Sequence, residues 1–296
     1  MARWFAGALA GAIACSFVML STVAWADGAE VFGASANGNV VVATVSDVIP
    51  NAPPVMSKDC HSRLTAGDRF RRPLRGLRRA VRDNRNPRVL AIGSSTTVGT
   101  GASKPANTYV AKLENGLEAA FKGVDFDVFG RGVGGEMAEG QSARMKAAVE
   151  EIKPDLVLWQ VGTNDAIGHV NLESFKNCLR KTLTWLEENK FDVMLVDPQY
   201  GDQLTKDAFY EQVVAAISEI ALEKHVLLVD RFDAMRSLSR EHGDIVYLSA
   251  DQLHMNDTGH RCMAEQLSRA IVAGVLQADN DAVAEATNKL RAPHDD

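Results

Sequence analysis

The chain has 296 residues, of which 46% are hydrophobic and 24% charged, a composition typical of globular proteins. This length suffices for one sizeable α/β domain with terminal extensions. A net charge of −6 supplies no general cationic surface that would displace counterions from phosphate, so the composition argues against nucleic-acid binding.

The N-terminal residues 1–26 have the pattern of a secretory signal peptide. Arg3 provides a positive start, Ala8–Val23 an apolar run, and Ala24–Ala26 a cleavage site of the A-x-A type. A retained membrane anchor is the alternative, but the apolar run is somewhat short for the roughly 20 residues that span a bilayer. A lipoprotein signal ending at Cys15 fits less well, because the apolar run continues beyond it. We therefore expect cleavage, a periplasmic or secreted protein, and no stable membrane insertion.

Residues 27–62 carry few charges and are predicted to form an extended linker or arm. Three cysteines remain after signal cleavage, namely Cys60, Cys178 and Cys262. In an oxidising compartment one disulfide bond is expected. A bond from Cys60 to Cys178 would pin the linker to the core, although the sequence alone does not give the connectivity. The sequence has no C-x-x-C pair and no cluster of cysteine and histidine, so we expect no metal ion.

Residues 63–87 are predicted to form a basic helical segment. Together with Arg88 they hold ten arginines, against only Asp68 and Asp83. Apolar residues at helical spacing favour a helix with one buried face and one solvated basic face. These residues are Leu64, Phe70, Leu74, Leu77 and Val81. The alternative is a patch that binds an anionic glycan or a lipid headgroup. Pro73 should start or kink the helix.

From position 88 onward, short apolar runs alternate with segments of helical periodicity. The predicted strands are Arg88–Gly93, Val124–Phe129, Asp155–Val161, Asp192–Val196 and Val226–Val229. The predicted helices are Tyr109–Phe121, Ala143–Ile152, Phe175–Glu188, Ala208–Leu222 and Gly259–Leu276. Such alternation is typical of a parallel sheet covered by helices on both faces. We therefore predict a flavodoxin-like three-layer α/β/α sandwich with a five-stranded parallel sheet over residues 88–277, followed by a loose polar tail at 278–296.

Glycine-containing turns with polar residues follow the first three predicted strands. They are GSSTTVG at 93–99, GRGVGGE at 130–136 and GTND at 162–165, and DQLH at 251–254 precedes the last helix. In a doubly wound sheet, ligands bind at the carboxyl ends of the strands. These four segments are therefore expected to form one site.

The residue types in these segments suit acyl transfer. A serine hydroxyl is a poor nucleophile until a neighbouring base removes its proton, and His254 can act as that base for Ser95. Asp251, three residues before the histidine, can fix its tautomer and stabilise the imidazolium. The oxyanion of a tetrahedral intermediate needs preorganised donors. The candidates are the backbone N–H groups of Ser95 and Gly135 and the side-chain amide of Asn164.

The four segments resemble the sequence blocks of the SGNH (GDSL) hydrolases. The family opening Gly-Asp-Ser-x-Thr corresponds to 93–97, its oxyanion glycine to Gly135, its Gly-x-Asn-Asp block to 162–165, and its Asp-x-x-His block to 251–254. The likeness extends over roughly Val89–Leu276. It implies a serine esterase with Ser95, Asp251 and His254 as catalytic residues, without a cofactor, acting on acyl esters of sugars, on lipids or on thioesters.

Two residues depart from the family pattern. Ser94 stands where the family has aspartate, and Gly130 stands where it usually has asparagine. Both family residues mainly support loop geometry, so we expect altered tuning rather than lost chemistry. Ser94 is also a rival nucleophile, but the register favours Ser95, because Thr97 and Gly99 then fall at their family positions.

Other polar residues have structural explanations that compete with functional ones. His169 either lines the site or lies in an exposed loop, and His260 on the last helix is expected to be structural. Asp165 and Asp230, at strand ends, are expected to hold loops through hydrogen bonds. The run DPQY at 197–200 either shapes the substrate pocket or is a loop punctuated by proline.

These observations predict an exported serine esterase that hydrolyses carboxylic esters through an acyl-serine intermediate. The expected partner is an acylated carbohydrate or lipid, first an O-acetyl group on an envelope or extracellular polysaccharide, then a lipid or lysophospholipid ester. One alternative is an acyltransferase that passes the acyl group to an envelope glycan. The other is a glycan-binding protein without catalytic activity.

Overall fold

The structure is a computed structural model that describes residues 48–61, 72–243 and 246–291. The predicted signal peptide, the linker before residue 48, and Leu64 and Phe70 of the basic segment lie outside these residues. Within the described residues, no helix is both long and apolar enough to cross a membrane.

Five parallel strands form one sheet in the order β2-β1-β3-β4-β5. They are β1 (Arg88–Gly93), β2 (Asp127–Gly132), β3 (Leu156–Gln160), β4 (Asp192–Val196) and β5 (Leu227–Val229). Side chains alternate between the two faces, so that Val89 and Ala91 of β1 pack on one side while Leu90 and Ile92 pack on the other. Because both faces are buried, the central strands are continuously apolar. The predicted five-stranded parallel sheet is confirmed.

Helices cover both faces of the sheet, which confirms the three-layer α/β/α sandwich. The α-helices are α1 (Arg75–Arg82), α2 (Ser95–Val98), α3 (Tyr109–Ala120), α4 (Ala138–Ile152), α5 (Thr163–Ile167), α6 (Leu172–Glu188), α7 (Ala208–Glu223), α8 (Arg231–His242) and α9 (Asp257–Arg291). Helices α1, α3 and α9 pack on one face, and α4, α6 and α7 on the other. Side-chain caps begin α3, α6, α7 and α8; the capping residues are Thr108, Asn171, Asp207 and Asp230.

The second strand lies three residues later than predicted. It begins at Asp127 and includes Gly130 and Gly132, which pair with Ala91 and Gly93 of β1. The glycines had suggested a turn, but Gly132 is required for close packing. A Cβ atom there would lie 2.4 Å from the backbone nitrogen of Val98 in α2.

The prediction of a loose tail from position 278 is wrong as far as Arg291, because α9 continues to that residue. Arginines of α1 pair with acidic residues of this extension. The carboxylate of Asp279 accepts hydrogen bonds from Arg78 at 2.9 Å and from Arg82 at 2.5 Å. These long-range pairs favour the solvated-face interpretation of the basic segment over an anion-binding patch. Its apolar residues Leu74, Leu77 and Val81 are buried, as predicted.

The expected disulfide bond is present and joins Cys60 to Cys262, so the candidate pairing of Cys60 with Cys178 is wrong. Residues next to Cys60 lie along the start of α9, where the hydroxyl of Ser57 donates to the carboxylate of Glu265 at 3.0 Å. Cys178 is a free, half-buried thiol on α6, and α6 packs against the opposite face of the sheet.

Candidate active site

The turn that carries Ser95 is held by its own backbone. It follows β1 directly and continues into the single turn of α2. The N–H groups of Thr97 and Val98 donate to the carbonyl of Ser94 at 3.0 and 3.1 Å. Gly99 ends the turn with a left-handed backbone, φ 97°, a conformation that glycine adopts without steric cost. The backbone N–H of Ser95 therefore lies at the first turn of a helix, where N–H groups lack intrahelical partners.

The structure separates the two adjacent serines. Ser94 is buried, and both its N–H and its hydroxyl donate to the side-chain oxygen of Gln160, at 3.1 and 3.3 Å. Ser95 is partly exposed, and its Oγ lies 3.1 Å from Nε2 of His254. The predicted base therefore reaches Ser95, while Ser94 supports the loop from within.

The side chains of Asp251 and His254 form the next link of this chain. Oδ2 of Asp251 lies 2.6 Å from Nδ1 of His254, and Oδ1 accepts the N–H groups of Leu253 and His254 at 3.0 Å each. Partial desolvation raises the pKa of Asp251, but the hydrogen bonds from His254 and the backbone outweigh it and lower this pKa to about 2. Asp251 is thus an anion at neutral pH, and it orients Nε2 toward the serine.

A short hairpin presents the Asp–His pair. An antiparallel bridge joins Leu248 to Met255, and the N–H of Ser249 donates to the carbonyl of His254 at 2.7 Å. Gln252 has a left-handed backbone, φ 56°, which is uncommon for a residue with a Cβ atom. This tight turn brings residues three positions apart into side-chain contact.

The predicted oxyanion glycine lies in an exposed loop between β2 and α4. Gly135 has φ 74°, and no heavy atom lies within 4 Å of the position that its Cβ would occupy. The side-chain amide of Asn164, in the first turn of α5, donates to the carbonyl of Glu136 at 2.9 Å. The structure thus brings Asn164 against the residue that follows Gly135. That these groups bind an oxyanion stays a prediction.

An ion pair that the sequence did not suggest supports this loop. Arg144 of α4 binds the carboxylate of Glu136, with its Nη2 at 2.6 Å from Oε2. The same Nη2 donates to the carbonyl of Gly93 at 3.1 Å and to that of Arg131 at 2.9 Å. One guanidinium therefore joins the ends of β1 and β2 to the loop of Gly135. The available signal was an acidic residue beside the glycine and a basic residue two turns into the next helix.

Asp165 and Asp230 hold loops, as expected. The buried carboxylate of Asp165 accepts the N–H of Ala138 at 3.0 Å, which ties α5 to the start of α4. Burial raises the pKa of Asp165 to about 6, and backbone hydrogen bonds oppose the shift. Asp230 caps α8 by accepting the N–H of Asp233 at 3.2 Å.

His169 and His260 have structural roles. His169 is exposed and lies 2.6 Å from the carboxylate of Asp207, as the exposed-loop alternative predicts. His260 is fully buried in α9 and bonded to backbone, with Nδ1 accepting the N–H of Tyr109 at 3.2 Å and Nε2 lying 3.2 Å from the carbonyl of Thr100. Burial lowers the pKa of His260 and keeps the ring neutral.

Comparison with known proteins identifies the family. The model of the Non-GDSL lipase-like family matches residues 59–277, which is most of the chain. No curated protein matches the sequence.

Solved structures similar to this chain include an esterase that has the same fold. An acetylxylan esterase from Geobacillus stearothermophilus is 23% identical, with a TM-score of 0.55 over 62% of this chain and 94% of the esterase. A variant of it, described as an acetyl-xylooligosaccharide esterase, is 22% identical over the same shares of the two chains, with a TM-score of 0.55. A protein of the G-D-S-L family from Desulfitobacterium hafniense is 24% identical, with a TM-score of 0.49 over 62% of this chain and 99% of its own. The chain belongs to the Non-GDSL lipase-like family and is an ester-hydrolysing serine hydrolase.

Proposed function

We propose that this protein is an exported esterase that removes O-acyl groups, first of all acetyl groups, from a polysaccharide through an acyl-serine intermediate. The observation that carries the proposal is the continuous chain from Asp251 through His254 to Ser95, with contacts of 2.6 and 3.1 Å. A carboxylate, an imidazole and a hydroxyl in this order form the arrangement that activates a serine for acyl transfer.

The reaction proceeds in two steps, acylation of Ser95 and then hydrolysis of the acyl-serine. Oγ of Ser95 attacks the ester carbonyl carbon, and its proton passes to Nε2 of His254. The histidine then gives this proton to the leaving alcohol as the C–O bond breaks, which leaves the acyl group on Oγ. In the second step a water molecule attacks the acyl carbon, the histidine takes the water proton and returns it to Oγ, and the carboxylic acid leaves. Asp251 stabilises the imidazolium in both steps.

The oxyanion is held by the N–H groups of Ser95 and Gly135 and by the side chain of Asn164. Two hydrogens are present on an amide nitrogen, so the bond from Asn164 to the carbonyl of Glu136 engages one of them. That bond orients the amide and leaves the second hydrogen to donate to the oxyanion as its charge develops. Donors fixed in this way before the reaction stabilise the transition state more than donors that must reorganise.

The acetyl-polysaccharide substrate is supported by the solved structures with the same fold. One of those enzymes is an acetylxylan esterase, and its catalytic mutants replace a serine, an aspartate and a histidine. Export is supported by the signal-peptide pattern of residues 1–26 and agrees with the disulfide between Cys60 and Cys262, since such bonds persist in oxidising compartments.

A longer acyl or lipid ester is the second candidate, because apolar side chains flank the site. Four exposed hydrophobic residues lie on the segments that carry the catalytic groups. They are Val98 (55% exposed), Val133 (46%), Met137 (37%) and Ile167 (48%). Clusters of exposed apolar residues commonly mark binding surfaces.

The test is hydrolysis of p-nitrophenyl acetate, butyrate and octanoate, together with acetate release from acetylated xylan, by the wild-type protein and by Ser95→Ala and Ser94→Ala. We expect turnover by wild type and by Ser94→Ala and none by Ser95→Ala. An acid-quenched reaction should show the acyl group on the peptide that contains Ser95 by mass spectrometry. Preference for octanoate would favour the second candidate, and absence of any turnover would refute the esterase.

A further inference from the structure

Gln199 is a buried residue that contacts both sides of the site. It lies beyond β4 and is 2% exposed. Its Nε2 donates to the carbonyl of Leu253 at 3.0 Å, and its Oε1 accepts the hydroxyl of Thr163 at 3.0 Å. Leu253 directly precedes His254, and Thr163 directly precedes Asn164. One side-chain amide therefore joins the loop of the base to the turn of the oxyanion donor.

This amide is itself held in place by buried groups. Arg231, which is fully buried, donates from Nη2 to Oε1 of Gln199 at 3.1 Å and from Nε to the carbonyl of Asp197 at 3.0 Å. The hydroxyl of Tyr210 donates to the backbone carbonyl of Gln199 at 2.8 Å. Because Arg231 can only donate, it fixes which end of the amide is the oxygen and which is the nitrogen. The nitrogen is thereby directed to Leu253.

The loop of His254 depends on such a contact. Its turn is solvent-exposed, with half of the Asp251 side chain accessible. The hydrogen bonds that Ser249 and Asp251 make to His254 join residues of the hairpin itself, whereas Gln199 reaches it from another element. The bond from Gln199 ties the turn to the sheet. A displacement of about 1 Å in a catalytic group can cost on the order of 10²-fold in rate.

We propose that Gln199 is a positioning residue that fixes the place of His254 relative to Asn164, with Arg231 setting the orientation of its amide. The proposal rests on the proposed esterase function. It accounts for the run at 197–200, which the sequence left open between pocket and loop: Gln199 acts on the catalytic groups through their neighbours and does not touch the reacting atoms.

Two substitutions of Gln199 separate its contacts. Gln199→Met keeps the unbranched shape and removes all three side-chain hydrogen bonds. Gln199→Glu keeps the oxygen that Thr163 and Arg231 bind, and it removes the donor to Leu253. Gln266→Met is the matched control, because Gln266 is equally buried, at 2%, on α9 and outside the site. Purified full-length variants are compared in kcat and KM for p-nitrophenyl acetate, in the rate of Ser95 labelling by a fluorophosphonate, and in Tm.

We expect kcat and the labelling rate to fall about 30- to 100-fold in Gln199→Met and by a similar factor in Gln199→Glu, because both lose the bond to Leu253, with KM within about twofold, at a temperature where each variant is folded. The control should keep wild-type kcat and labelling, and it should not lose Tm, because the buried Oε1 of Gln266 has no hydrogen-bond partner among the described residues. Wild-type kcat and labelling in folded Gln199→Met would overturn the positioning role and leave the esterase intact. If wild-type protein neither turns over esters nor reacts with the fluorophosphonate, the proposed function fails, and this inference fails with it.

Discussion

The two halves of the site are built in different ways. The serine–histidine half, comprising Ser95, His254 and Asp251, is joined by direct side-chain contacts of 3.1 and 2.6 Å. The proposed oxyanion half, comprising Gly135 and Asn164, consists of N–H donors that do not contact one another's side chains, and Asn164 is bonded to the carbonyl of Glu136. In the first half the catalytic side chains position one another, whereas in the second the donors are positioned by residues outside the site.

The supports of the oxyanion half lie one layer away from the chemistry. Arg144 binds Glu136 and two strand-end carbonyls, and the carbonyl of Glu136 in turn binds Asn164. Because catalysis by an oxyanion hole depends on donors that need no reorganisation, residues that never touch substrate should affect its rate. Substitutions in the serine–histidine half should therefore lower the catalytic rate strongly, and those in the supporting layer only moderately.

The largest effect is expected from Asp251→Asn. An asparagine keeps the shape but favours the wrong tautomer of His254, so kcat should fall about 10⁴-fold. Hydrolysis of p-nitrophenyl acetate at pH 7 measures it. Asp257→Asn is the control, because Asp257 also binds at a loop end, through Ser103, outside the catalytic chain. A loss below tenfold in Asp251→Asn would mean that the direct contacts do not govern this half.

Asn164→Ala tests the donor of the oxyanion half. Removing one such donor should lower kcat about 10²- to 10³-fold and leave KM nearly unchanged, since the interaction strengthens in the transition state. Asn189→Ala is a suitable control, because Asn189 is exposed at the end of α6 and its side chain donates to the carbonyl of Trp185 in its own helix. An equal rise in KM instead would show that Asn164 binds the ground state.

Arg144→Lys tests the supporting layer. A lysine keeps the charge but cannot present the planar fork that binds Glu136, Gly93 and Arg131 together. We expect kcat/KM to fall roughly tenfold, which is about 1.4 kcal/mol of transition-state stabilisation. Arg131→Lys serves as control, since its guanidinium pairs with Glu151 at the surface. Wild-type activity in Arg144→Lys would remove the distinction between the halves.

The sequence predicts the candidate catalytic residues better than the residues that position them, and the reason is physical. Ser95, Gly135 and Asn164 lie in short motifs that follow strands, and the Asp–His pair lies in a short motif before the last helix. Local pattern and sheet topology therefore suffice to bring the first three to one edge of the sheet. The contact from Arg144 to Gly93 joins residues 51 positions apart, and no periodicity records it.

The same distinction explains the errors in the fold. The strands and most long helices follow from apolar periodicity, which reflects burial. The shift of β2 depends on the approach of α2 to Gly132, and the length of α9 on pairing between Asp279 and the arginines of α1. The disulfide from Cys60 to Cys262 likewise depends on where the linker lies. Each is a tertiary contact that overrides a local signal.

Asp165→Asn, next to the oxyanion half, is expected to affect activity least and to change the pH dependence of stability instead. Burial raises the pKa of Asp165 to about 6, whereas in the unfolded chain this pKa is near 3.8. Between these two pH values the folded protein keeps the proton of Asp165 and the unfolded chain loses it. The free energy of unfolding should therefore decrease as pH rises from about 4 to about 6. In denaturant titrations at several pH values, the variant should lose part of this dependence of stability on pH. Asp192 should preserve the rest, because burial raises its pKa to about 6 as well. Asp251→Asn should instead remove the loss of stability that the wild-type protein shows as pH falls from about 4 to about 2, because the pKa of Asp251 is lowered to about 2 in the folded protein. An unchanged slope in Asp165→Asn would mean that Asp165 is ionised throughout this range, and that its bond to Ala138 is a carboxylate bond at every working pH.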